Sequence, residues 1–132
     1  MTRDAGMPSF ATCASDAEEA FEFLLAYAAQ GVTGTDPATD SQVRSCLAKL
    51  AATTDAAAAG MRMPPHLDPC WHRFAEVLAD DAAKAAAAIH LVSAMPVIGS
   101  QLCDTLNANQ HLRAFLTDLF LIDEAERSAR AL

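Results

Sequence analysis

Apolar side chains recur at alternating spacings of three and four along most of the chain, and the clearest case runs over residues 69–95. Ala75, Leu78, Ala82, Ala85, Ile89 and Val92 fall on one stripe, with Arg73, Glu76, Asp80 and Lys84 on the opposite side. Asp68 offers an N-cap oxygen, and Pro69 sits at the first helical position, where a missing N–H costs nothing. Pro96 stops or kinks the helix. At the helical rise per residue this segment is roughly 40 Å long. Its alanine-rich face lets neighbouring helices approach closely.

The same pattern predicts shorter helices on either side. Ser15 and Glu18 match a capping box, so a first helix is expected over 15–30, burying Ala17, Ala20, Phe21, Leu24, Tyr27 and Ala28 and ending at Gly31. Residues 1–14, with Gly6 and Pro8 and no clear period, read as a loose arm whose Met7 and Phe10 rest on the bundle; residues 15–132 form its single domain. Residues 32–40 read as a loop. Thr39 with Gln42, or Asp40 alone, caps a second helix that buries Val43, Cys46, Leu47, Leu50, Ala51 and Ala57 and ends at Gly60. Pro64 and Pro65 make 61–67 an extended connector, with Met61 and Met63 covering the bundle end.

Beyond Pro96 the reading is a short helix near 100–107, started by Ser100 and interrupted by Asn107 and Asn109. Whether 97–130 forms one helix or two stays open at this level. A last helix buries Leu112, Phe115, Leu116, Leu119 and Ile122, with Arg113, Thr117 and Glu124 outside. Asp123 and Glu126 then enter the seam, so the packed part is expected to finish near Ile122.

Composition sharpens the fold class. Alanine, about 30 residues, with few β-branched or aromatic side chains, favours helix over strand through side-chain entropy. The expectation is an all-α, single-domain bundle of four to five helices around a long central helix at about 69–95. A length of 132 residues is enough to bury a core without staples.

Charge narrows the partners. Nine basic side chains against 17 acidic ones leave a formal charge of −8, which repels a phosphate backbone and argues against nucleic acid. The first residues lack the apolar run of a secretory signal, and no stretch approaches the roughly 20 uncharged apolar residues of a membrane span. A cytoplasmic protein is expected. Cys13, Cys46, Cys70 and Cys103 lie far apart without a C-x-x-C pair, which suits separate thiols better than disulfides or a zinc knuckle.

Motifs for chemistry are missing. A di-iron bundle requires Glu-x-x-His pairs, and no Glu has a His three residues later. None of the five glycines builds a phosphate loop. His66, Cys70, Trp71 and His72 form the densest cluster of reactive side chains and are an alternative ligand site, although caps and packing account for them better, since metal sites usually need three or four ligands. His90 and His111, as lone helical histidines, read as boundary residues before haem ligands. Neither a metal nor any other cofactor is expected, and the balance leans away from an enzyme.

Charge asymmetry is the remaining clue. Between Asp4 and Arg44 the chain carries Asp16, Glu18, Glu19, Glu22, Asp36 and Asp40 and no basic residue. Solubility alone explains such a face. Functionally, Glu18, Glu19, Glu22, Asp36 and Asp40, with Phe23 as an apolar anchor, suit a basic protein partner. The expectation is therefore a small acidic helical protein that masks or escorts such a partner, as immunity proteins, anti-factors and secretion chaperones do, with self-association through the 112–122 helix as a further possibility. The alternative is a bundle binding a small molecule or metal near His66, Cys70, Trp71 and His72, with or without enzymatic activity.

Overall fold

The computed structural model describes residues 9–61 and 69–131, which form five helices and no strand: α1 (Phe10–Gln30), α2 (Pro37–Ala59), α3 (Pro69–Ser93), α4 (Ser100–Asn107) and α5 (Gln110–Arg130). The all-α bundle is as expected. The residue pairings give its sense: Cys13 meets Met61, Glu19 meets Lys49, Arg44 reaches Ser93 and Asp55 reaches His90, so α1, α2 and α3 run antiparallel in succession. α5 returns antiparallel beside both α3 and α1, closing a four-helix ring, while the short α4 packs on the C-terminal half of α1.

Alternating faces explain the core. Leu78, Ala82, Ala85, Ile89 and Val92 of α3 are buried as the stripe predicts, Ala75 half-buried, and Arg73, Glu76, Asp80 and Lys84 are exposed. α5 buries Leu112, Phe115, Leu116, Leu119 and Ile122 against α3 and α1. Each fully buried Leu, Ile or Phe contributes about 1.5–3 kcal/mol, so these stripes dominate the driving force. Residues 97–130 are two helices. Asn109 separates them, accepting from the backbone N–H groups of His111 and Leu112 as the N-cap of α5.

Three boundaries differ from the sequence reading. α1 begins at Phe10, not Ser15: Ser9 caps it by accepting from Thr12 N, and Ser15 lies exposed within the helix. Residues 10–14 thus belong to the bundle. The cause is burial, because Phe10 and Cys13 are 1% and 2% exposed, and drawing them into the core extends the helix upstream of the capping box. α2 starts at Pro37, capped by Asp36 through Thr39 N, so Thr39 and Asp40 lie in its first turn and not at its cap. The Asp–Pro pair that marks α3 in the sequence also marks α2. Gly99, in place of Ser100, is the residue preceding the first turn of α4.

Gly31 ends α1 in the left-handed conformation, and Gly60 ends α2. Met61 is buried beside Cys13, covering the bundle end. Met7, Met63, Pro64, Pro65, His66 and the Asp68 cap lie outside the described residues. Among the described residues no helix is long and apolar enough to cross a membrane.

Candidate functional site

The acidic row of α1 and the following loop does not form one free face. Glu19 pairs with Lys49 of α2, which holds its carboxyl below the usual range, mainly through that hydrogen bond. Asp36 is occupied as the α2 cap, its carboxylate accepting from Thr39 N at 3.0 Å and Thr39 Oγ1 at 2.7 Å, and these bonds lower its pKa. Asp40 accepts from Arg44 Nε at 3.0 Å. The stretch without basic residues in the sequence thus receives Lys49 and Arg44 from α2, and Asp36 and Asp40 are structural. Glu18 and Glu22 are exposed, while Phe23 is half-buried and stacks on Tyr27 with ring centroids 6.5 Å apart.

Arg44 does more than neutralise Asp40. Its guanidinium donates to the carbonyls of Ser93, Met95 and Pro96 at 2.9–3.1 Å, satisfying backbone acceptors left over where α3 ends. Beside it the α1–α2 and α3–α4 connections interlock. Tyr27 OH donates to Ile98 O, Ser100 Oγ donates to Tyr27 O, and Ser100 and Val32 exchange two bonds through Ser100 N, Ser100 Oγ and the Val32 backbone. Asn107 Nδ2 adds a bond to Leu24 O. Gly34, at φ +88°, lies against the Ile98 carbonyl, where a Cβ would collide with backbone.

At the opposite end the surface is apolar. Cys70, Trp71 and Phe74 of α3 face Leu121, Ile122 and Ala125 of α5 across a shallow groove of about 260 Å³. Leu121 also borders a second depression, where Ala11, Ser15 and Glu18 of α1 meet Thr117, Phe120, Asp123, Glu124 and Arg127 of α5. Leu121 is 57% exposed and Phe120 is exposed next to it. Four successive apolar residues from 119 to 122 cannot all face inward on a helix, so this surface had a sequence signal. Phe74, one turn from Trp71, was the residue missed.

The cation here is engaged, since Arg127 bonds Asp123 at 3.1 Å and Glu124 at 3.2 Å. Asp123, bonded through Oδ2 to Arg127, is the last buried residue of α5, and the described tail beyond it is more solvated, as expected. Of the alternative ligand site, Trp71 is half-buried in the groove and His72 is exposed, with His66 outside the described residues. Among the described residues no three His, Cys, Asp or Glu side chains stand together to hold a metal ion. His90 pairs with Asp55 at 3.1 Å.

Burial pushes the thiols of Cys13, Cys46 and Cys103 up to about 11, assisted at Cys13 by Asp16. Such thiols remain protonated and unreactive at neutral pH. Comparison with family models, curated proteins and solved structures yields no match.

Proposed function

We propose that this is a small acidic helical protein that binds a basic protein partner and masks or escorts it, docking the partner where α1, α3 and α5 meet. The observation that carries this reading is Leu121, a large apolar side chain exposed between an apolar groove and a carboxylate-bearing one. A basic amphipathic helix suits this surface. Its apolar residues fill the space between Trp71, Phe74 and Leu121, and its Lys or Arg residues lie toward Glu18, within the field of a chain of charge −8, while Glu124 is already paired with Arg127. Glu22 extends the same negative potential along α1.

The test compares partner capture by the wild type, by Leu121→Asp, and by Leu91→Asp, which alters a 64% exposed leucine near the far end of α3. A protein retained by the wild type and Leu91→Asp, lost from Leu121→Asp, and associating more slowly as salt shortens the Debye length supports the proposal. A partner indifferent to Leu121 and to salt overturns it. A concentration-dependent dimer abolished by Leu121→Asp would assign the surface to a second copy of the chain instead.

A further inference from the structure

Further along the seam from the groove, α3 and α5 oppose two carboxyl groups. Asp81 of α3 lies beside Asp118 of α5, both half-buried on the seam that continues into Leu78, Leu121 and Ile122. Asp118 Oδ2 is buried and receives no hydrogen bond. Among the described residues, Lys84 of α3 bonds Asp80 at 3.2 Å, and of the α5 cations Arg113 donates to Asn107 O and Arg127 holds Asp123 and Glu124, so each is committed elsewhere. From α1, packed on another side of α5, Glu18 shares a depression with Thr117 and adds negative charge. α2, packed on α3, sets Arg44 and Asp55 against Ser93 and His90 near the C-terminal end of α3, and α4 presents Asp104 to a groove at that same end of the bundle.

Two adjacent, half-buried carboxylates without a cation repel and leave the buried Asp118 Oδ2 lacking a donor, whereas one proton turns the repulsion into an O–H···O bond. We propose that Asp81 and Asp118 form a proton-operated clasp between α3 and α5, closed when the pair carries one proton and strained when both groups are ionised. The clasp stands whether or not a protein docks in the groove. Burial, followed by the hydrogen bond and the charge of Asp81, pushes Asp118 up to about 7, so the proton leaves within the physiological range.

The sign follows from linkage. A carboxyl raised in the folded state stabilises it fully below the unfolded value of about 4. That contribution declines as pH rises and is gone above about 7. Exposed carboxylates such as Glu19 and Asp36, whose pKa values are lowered, act in the opposite sense, so the clasp is read as a difference between proteins.

Two measurements test it. Carboxyl-carbon NMR of the wild type should show one aspartate titrating with a midpoint near 7, which disappears in Asp118→Asn and moves down by a unit or more in Asp81→Asn. The Tm of the wild type minus that of Asp118→Asn should fall steadily from pH 4.5 to 7.5. An Asp118 midpoint below 5, or a Tm difference independent of pH, overturns the proposal. If Asp118→Asn does not fold, the wild-type titration and its displacement in Asp81→Asn decide alone.

Discussion

The two ends of the bundle are built on different principles. Where α1 gives way to α2 and α3 to α4, Tyr27, Arg44, Ser100 and Asn107 convert loop carbonyls and amides into a hydrogen-bonded lock with Gly34 packed against it. At the other end Trp71, Phe74 and Leu121 meet with few polar links, Phe120 lies on the adjoining α1 side, and apolar surface is left in contact with water. The first arrangement fixes backbone through polar bonds, with Val32, Leu91 and Val97 exposed around it. The second holds its helices mainly through side-chain packing and retains unspent hydrophobic area, which marks an interaction surface more often than chance exposure does. Under the proposed function, stability and recognition lie at opposite poles of the molecule.

Substitutions that break this contrast should differ widely in size. Gly34→Ala forces a Cβ toward the Ile98 carbonyl at a positive φ and should cost about 3 kcal/mol or more, read as a loss of cooperative folding in urea. Arg44→Ala strands the carbonyls of Ser93 and Met95 and should lower stability by about 1–3 kcal/mol in the same measurement. Tyr27→Phe leaves the Ile98 oxygen without its donor and should cost about 1–2 kcal/mol. At the opposite pole, Leu121→Asp should change stability by no more than about 0.5 kcal/mol while abolishing partner capture. An unfolded Leu121→Asp protein would show that this end, too, is structural. Least of all, Glu19→Gln, which removes an exposed ion pair with Lys49, should leave Tm unchanged within error at neutral pH.

Thiol reactivity sharpens the same contrast without mutation. Exposed Cys70, on the groove, should react with a thiol reagent well before buried Cys13 and Cys103, whose raised pKa values keep them protonated. Equal rates for all would mean that the bundle opens faster than the reagent reacts.

Helix positions and buried faces were legible in the sequence because periodicity is a local property that burial reinforces. The stripes of α3 and α5, the Gly31 cap and the break at Asn109 required no knowledge of neighbours. The α2 start was also legible, in Asp36–Pro37, but Thr39 and Asp40 offered competing cap chemistry a few residues on. The α1 start was legible only in part, because Ser9 and Ser15 are both cap residues and burial of Phe10 and Cys13 against distant residues decides between them.

Charge is where local reading fails most clearly. A run of six acidic residues without a basic one reads as an open anionic face, yet long-range packing sets Lys49 beside Glu19, and the adjoining turn of α2 brings Arg44 to Asp40. Electrostatic partners are chosen by distance in space, so only the packed bundle decides which carboxylates are committed. The same holds for Asp81 and Asp118, 37 positions apart in the chain and without remark in either helix until α5 folds back along α3. Pattern sets which side of each helix turns inward; tertiary packing sets which polar groups then meet.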